Sequence, residues 1–128
     1  MKLFRFAQEE GTLITQYDSH FKMTKLLANT GDVHMSCMYV NSGDCIGTHE
    51  TTVPQLFLVV QGEGIVRGSD KQEMRVKAGE AAFWKAGEYH AARSETGMMA
   101  IVIEGLDIKP DQFMKEFLPT PTPETSLY

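Results

Sequence analysis

Apolar stretches of strand length alternate with polar, glycine-marked breaks along most of the chain. Stretches such as residues 56–60 and 98–103 are rich in β-branched, aromatic and aliphatic side chains, a composition typical of β-strands. No periodic segment before residue 109 is long enough to indicate a helix. The pattern predicts an all-β sandwich or barrel with strands at 3–7, 21–27, 33–40, 46–51, 55–61, 64–67, 73–77, 81–85, 89–94 and 98–104.

Local patterns predict three further features. Gly62 and Gly64 flank one polar residue between apolar runs, which predicts a hairpin with a tight turn over residues 57–67. After Pro110, apolar positions 113, 114, 117 and 118 follow the stripe of a short amphipathic helix. Residues 119–128 carry prolines at alternate positions, which predicts an extended tail that serves as a mobile terminus or as a docking peptide.

Size and charge limit the classes of protein to which the chain can belong. Its 128 residues fit one domain, which we expect to span residues 1–118. The apolar runs are far shorter than the roughly 20 residues of a membrane-spanning helix. A formal net charge of −5 repels a phosphate backbone in the absence of a basic patch. We therefore expect no nucleic-acid partner and no membrane partner.

The first residues and the cysteine content bear on the compartment. The segment that starts at Met1 soon reaches Glu9 and Glu10 and lacks the apolar centre of a signal peptide. Two cysteines do not make a disulfide framework. We expect a cytoplasmic protein in which Cys37 is a small buried hydrophobe and Cys45 a surface thiol.

Two histidines stand in glycine-marked contexts of defined spacing. His49 lies within the segment 43–62 and His90 within the segment 79–94. These segments resemble the two signature motifs of the cupin superfamily. The positions that match are Gly43, His49, Gln55 and Gly62 in the first motif, and Gly79, Gly87 and His90 in the second.

The chain departs from the cupin pattern at four positions. Thr51 stands in place of a second histidine and Gln55 in place of a glutamate, while Lys85 replaces a proline and Ser94 an asparagine. The glycines that set the turns are retained, so the resemblance implies a cupin jelly roll, a double-stranded β-helix barrel, here with a short C-terminal helix. Two of the four usual metal ligands are replaced.

The resemblance also implies a site at the open end of the barrel. It implies a divalent metal, of which Zn, Ni, Mn and Fe are the candidates, held by His49, Gln55 and His90. These three donors are neutral, so they would hold the ion more weakly than the usual set, which includes a carboxylate. Side chains two apart on a strand share a face, so we expect the pocket to be lined also by Thr51, Phe57, Val59, Ala92 and Ser94.

Two classes of function remain open. In one, the pocket binds or senses a small molecule; in the other, the protein is a metal-dependent enzyme of the dioxygenase, isomerase or lyase type. Alternation directs Glu50 outward and leaves the direction of Glu104 open, so no general base is evident and binding is favoured. The ordinary alternative is that each histidine is a satisfied polar residue of a half-buried strand. We also expect a homodimer, because pairing would cover exposed strand edges.

Overall fold

Strands dominate the computed structural model, which describes residues 1–28 and 31–118. The strands in these ranges are β1 (Lys2–Arg5), β2 (Thr12–Ile14), β3 (Phe21–Met23), β4 (His34–Val40), β5 (Cys45–Glu50), β6 (Gln55–Arg67), β7 (Glu73–Lys77), β8 (Glu80–Trp84), β9 (Tyr89–Arg93), β10 (Met98–Glu104) and β11 (Lys115–Phe117). Short 3-10 turns occupy Gln8–Glu10, Gln16–Asp18 and Pro110–Gln112. The all-β prediction is confirmed. Within the described ranges, no helix has the length and apolar character needed to cross a bilayer.

Antiparallel pairing arranges the strands in two layers. One layer has the order β11–β1–β8–β6–β10–β4. In the other layer β5 pairs with β9, β9 pairs with β6, and β6 pairs with β7. Strands β2 and β3 form a separate two-stranded sheet. Because β6 belongs to both layers, it joins them into one barrel.

The long strand β6 runs through the position of the predicted hairpin, which is therefore wrong. Gly62 has a φ of +77°, and a Cβ placed on it would lie 2.1 Å from the carbonyl oxygen of Gly97. The glycine thus permits a bend where two backbones meet, and the chain does not reverse there. Before the bend β6 pairs with β8 and β10, and beyond it β6 pairs with β7 and β9.

Two apolar clusters cover the two faces of the first layer. The inner cluster lies between the layers and contains Leu3, Val40, Phe57, Val59, Val66, Val76, Ala82, Trp84, Ala92, Met98, Ala100 and Val102. The outer cluster contains Phe4, Leu56, Leu58, Ala81, Ile103, Ile108 and Met114, with Leu26, Leu27 and Phe83 packed against it. Successive residues such as Phe83 and Trp84 enter different clusters because side chains alternate along a strand.

The predicted C-terminal helix does not form. Pro110 begins a single 3-10 turn, and the chain then pairs as β11 with β1, where Phe117 lies opposite Leu3. Met114 is buried in the outer cluster and the Arg5 guanidinium lies 4.1 Å from the centre of the Phe117 ring. A helix of this length is marginal alone, so the unpaired edge of β1 decides the conformation. The predicted tail, 119–128, lies outside the described residues.

The prediction that Cys37 is buried is also wrong, whereas Cys45 is exposed as expected. Strand β4 is an edge of its layer, and most of its side chains are exposed. Cys37 therefore lies on the outside of the barrel although its sequence context is apolar.

Candidate functional site

A bulge in β5 directs His49 toward the inside of the barrel. Ile46 pairs with Ala92 and His49 with His90, so β5 advances three residues while β9 advances two. The extra residue shifts the alternation of side chains, so that Ile46 and His49 both face the same cavity.

The backbone next to this bulge fixes the tautomer of His49. Its Nδ1 lies 2.8 Å from the carbonyl oxygen of Gly47. A carbonyl oxygen can only accept, so Nδ1 carries the proton and donates it. In the neutral form of the exposed His49 ring the lone pair therefore resides on Nε2, the nitrogen that remains available to a ligand.

His90 is a buried, neutral imidazole. Only 4% of its surface is exposed, and a 2.5 Å hydrogen bond joins its Nδ1 to Oγ1 of the buried Thr51. Loss of hydration, and then the nearby His49, lower the pKa of His90 from 6.5 to about 4, although Glu88 acts in the opposite direction. At neutral pH the ring is uncharged and serves as a hydrogen-bonding group.

Aromatic rings form the inner wall beside His90. Trp84 stacks on the His90 ring with centroids 4.6 Å apart and planes at 25°, and the His49 ring meets His90 edge-on at 4.3 Å. Phe57 contacts Trp84 edge-on at 6.0 Å, and the indole Nε1 donates to the carbonyl of Arg67. The Trp84 ring is thus fixed on both sides, and it fixes the plane of His90.

These groups surround a cavity of about 200 Å³ at one end of the barrel. Gln55 enters it from β6, where it pairs with Trp84 on one side and Glu104 on the other. The described residues that line the cavity are Met38, Ile46, His49, Glu50, Thr51, Thr52, Gln55, Phe57, Trp84, His90, Ala92 and Glu104. This set includes two carboxylates and no lysine or arginine.

The sequence profile described as Cupin domain matches residues 36–106, more than half of the chain. The chain belongs to this cupin family. No protein of curated function is similar to the chain in sequence.

Solved cupins share the fold. A cupin superfamily protein from Desulfitobacterium hafniense aligns with a TM-score of 0.55 at 21% identity, covering 66% of this chain and 77% of its own. An RmlC-like cupin with a double-stranded β-helix fold from Methanocaldococcus jannaschii aligns with a TM-score of 0.56 at 14% identity, covering 79% and 93%. A predicted oxalate decarboxylase from Thermotoga maritima aligns with a TM-score of 0.52 at 23% identity, covering 56% and 64%. The jelly-roll prediction is confirmed.

The structure of this cupin brings most of the expected site residues together. The cavity is lined by the three expected metal ligands and by Thr51, Phe57 and Ala92. Val59 packs in the inner cluster. Ser94 lies apart from the cavity, where its hydroxyl donates to the carbonyl of Glu63 and accepts from the amide of Gly97.

The cavity is also lined by residues to which the sequence assigns no role, among them Trp84, Glu104 and Met38. Trp84 reaches the site because β8 pairs with the start of β6, and Glu104 because β10 pairs with it on the other side. Met38 enters from β4. No sequence motif marks these residues. Glu50, which alternation directs outward, is exposed and also borders the cavity.

The donor chemistry of the cavity does not fit a tightly held resident metal. Within the part of the chain that the structure describes, no three His, Cys, Asp or Glu side chains come close enough to hold an ion. His49 and His90 are neutral donors, and Gln55 adds an amide oxygen without charge. The three-residue metal site implied by the resemblance stays a prediction.

Proposed function

We propose that this cupin binds a small, neutral or cationic organic molecule in the cavity between His49, Gln55 and His90. One observation carries the proposal: hydrogen-bonding groups and carboxylates line the cavity, and its described lining contains no lysine or arginine. The protein then acts as a binding or sensing module of the cupin family.

The size of the cavity limits the ligand. At about 200 Å³ it is smaller than the roughly 300–1,000 Å³ typical of pockets for drug-sized ligands. A single small ring or a short polar chain is the expected size. Trp84 and Phe57, which are in edge-on contact, provide an apolar wall against which such a group packs.

Polar groups favour a ligand that donates hydrogen bonds. His49 offers the lone pair of Nε2, and Gln55, only 7% exposed, offers an amide that both donates and accepts. A buried amide requires a partner, because an unpaired polar group is costly away from water. A ligand with an N–H or O–H group meets this need.

Charge disfavours an anion. Glu50 and Glu104 border the cavity, and burial keeps His90 uncharged at neutral pH. A carboxylate ligand would enter beside like charges with no lysine or arginine to neutralise it. The Thermotoga relative is described as a predicted oxalate decarboxylase, and oxalate is a dianion. We therefore do not extend that substrate to this chain.

The alternative is a metal-dependent enzyme of the dioxygenase, isomerase or lyase type. Glu104 favours it, because a carboxylate that borders the same cavity as His49 could accept a proton from a bound substrate. In that case Zn, Ni, Mn or Fe would bind between His49, Gln55 and His90. We assign either activity to the cytoplasm, a reducing compartment that suits the free Cys37 and Cys45 thiols.

A thermal-shift comparison of matched ligands tests the proposal. Malonamide and malonate have the same size and differ in charge, so we expect neutral amides and small amines to raise the melting temperature and carboxylates to leave it unchanged. Native mass spectrometry of the protein as purified should show any small molecule that it carries. Stabilisation by the carboxylates alone would contradict the proposal.

Two variants assign the effect to this cavity. We expect Gln55→Leu to abolish stabilisation by the neutral ligand, because the apolar side chain removes the amide and keeps similar volume. Glu104→Gln should weaken amine binding and spare amide binding. Separate additions of Zn²⁺, Ni²⁺, Mn²⁺ and Fe²⁺ test the alternative: one ion bound per chain in the parent and none in His49→Ala would favour the enzyme.

A further inference from the structure

Strand β4 is an open edge of the barrel. All its residues, His34–Val40, pair with β10, from His34 opposite Glu104 to Val40 opposite Met98. On its other side β4 forms no ladder with any strand in the described ranges. Its outward amide and carbonyl groups are therefore available to another strand.

The sequence of β4 carries none of the usual protections of an edge strand. Edge strands commonly avoid pairing by means of a lysine, a proline, a bulge or very short length. The seven residues of β4 contain no acidic or basic residue apart from the terminal His34 and no proline, and their register with β10 has no shift. The strand is therefore long, regular and ready to pair.

The outward row of β4 is apolar as well as exposed. Met35, Cys37 and Tyr39 alternate onto one face, and the exposed fractions of Met35 and Tyr39 are 64% and 69%. A hydrogen bond with Cys37, together with the charge of its thiolate, raises the pKa of Tyr39, as expected for neighbours on one face.

We propose that β4 pairs antiparallel with β4 of a second copy, about a two-fold axis at Cys37. Full overlap of the seven residues places Cys37 opposite its counterpart and Met35 opposite Tyr39 of the second copy, twice by symmetry. Each Met35 sulfur then meets a tyrosine ring, a favourable contact, and no like charges face each other. A second copy therefore provides hydrogen-bond partners for the open edge of β4 and contacts for its exposed apolar side chains.

This register makes a covalent test available. Residues directly opposite in an antiparallel pair have Cα atoms about 4.5 or about 5.5 Å apart, depending on whether the pair is hydrogen-bonded. Both separations lie within the range of roughly 4.4–6.8 Å that a disulfide spans. The two Cys37 thiols can therefore be joined without movement of the backbone.

Cross-linking of the full chain tests the register. Diamide removes two hydrogens from a pair of thiols, which become a disulfide while diamide is reduced to the hydrazine. We expect the Cys45→Ser variant to give a covalent dimer that runs at twice the mass on a non-reducing gel. Its matched control, Cys37→Ser, should give none, although it keeps the exposed Cys45.

Sedimentation velocity tests the interface without a cross-linking reagent. Met35→Lys places a charge in the apolar row, and because Met35 is mostly exposed the fold should tolerate it. We expect the dissociation constant of the dimer to rise about tenfold or more. The control is Leu13→Lys on the separate β2–β3 sheet, where Leu13 is 48% exposed, and it should leave the dimer intact.

Three results would overturn the proposal. A parent that stays monomeric at micromolar concentration excludes the pairing. If Leu13→Lys disrupts the dimer and Met35→Lys leaves it intact, the interface lies on the β2–β3 sheet. A covalent dimer that forms in Cys37→Ser and not in Cys45→Ser would assign it to the surface around Cys45.

Discussion

At the scale of single residues, His90 shows how position decides chemistry. The same imidazole that titrates near neutrality in water is here stacked on Trp84 and bonded to Thr51, away from solvent. Its charge is therefore disfavoured, and its role is to present a neutral ring. His49, on the paired strand, is exposed and presents a defined nitrogen to the same cavity.

The stability of the protein should fall in mild acid because of His90. Its pKa is lowered from 6.5 to about 4, so between these pH values the unfolded chain binds a proton that the folded chain does not. The contribution is fully present above pH 6.5 and is lost as pH falls toward 4. It amounts to up to about 3 kcal/mol, since one pKa unit corresponds to about 1.4 kcal/mol.

Urea unfolding at a series of pH values measures this dependence. We expect the slope between pH 6.5 and 4 to be smaller in His90→Gln, which cannot titrate, than in the parent. Carboxylates contribute to both proteins and cancel in the comparison. Equal slopes would show that His90 titrates alike in the folded and unfolded chains.

The hydroxyl of Thr51 should contribute to stability through His90. Thr51→Val keeps the shape of the buried side chain and removes the partner of Nδ1, so we expect a loss of about 1–3 kcal/mol in the free energy of unfolding. Thr51→Ser retains the hydroxyl and should retain most of the imidazole geometry, read from its ¹⁵N chemical shifts. An unchanged free energy of unfolding in Thr51→Val would mean that this hydrogen bond makes no net contribution to stability.

At the scale of elements, long-range pairing decides what local pattern leaves open. Most strands were predictable because their apolar stretches end at glycines, and β7 and β10 have the predicted bounds of 73–77 and 98–104. The hairpin at Gly62 and the C-terminal helix were not. In both places the local pattern suits two conformations, and pairing with distant strands selects one of them.

The candidate site likewise contains residues that local motifs predict and residues that only long-range strand pairing brings to it. The resemblance of segments 43–62 and 79–94 to the two cupin motifs implies His49, Gln55 and His90. Trp84 and Glu104 depend on how β8 and β10 align with β6. Register between strands that are distant in sequence is not encoded in any local motif, so the sequence alone does not predict that these two residues reach the site.

The bend in β6 should tolerate no side chain. Gly62→Ala adds a Cβ that would lie 2.1 Å from the Gly97 oxygen, on a backbone with a φ of +77°. Gly43→Ala is the matched control, because its φ is +85° and no atom lies within 4 Å. We expect about 1–2 kcal/mol of destabilisation at Gly43 from the backbone alone and a distinctly larger loss at Gly62.

Chemical denaturation of the two variants separates clash from conformational strain. If Gly62→Ala is too unstable to purify while Gly43→Ala folds, the clash is the cause. Equal losses in the free energy of unfolding of the two variants would show that the close approach to Gly97 does not contribute to the destabilisation.

At the scale of the whole molecule, the two ends of the described chain stabilise each other. β1 lies between β8 and β11, and its Leu3 and Phe4 enter the inner and outer clusters, respectively. Phe117 on β11 packs against the inner cluster and beneath the Arg5 guanidinium. The C-terminal segment is thus part of the barrel.

Truncation of the Phe117 side chain should therefore weaken the whole fold. We expect Phe117→Ala to lower the free energy of unfolding by about 1–2 kcal/mol through lost apolar burial and the lost cation–π contact. Leu118→Ala is the control, because Leu118 is 91% exposed and its removal should change little. Thermal melting followed by circular dichroism measures both, and equal melting temperatures for the two variants would contradict a role for β11 in the barrel.

The position of β1 has a consequence for biosynthesis. This strand is synthesised before both of its neighbours, residues 80–84 and 115–117. At about 5–20 residues per second, translation from β1 to β11 takes roughly 6 to 20 seconds, during which the edge of β1 that β11 covers has no partner strand. The nascent chain thus exposes this edge of β1 until β11 has been made, which makes the edge a natural place for a chaperone to bind.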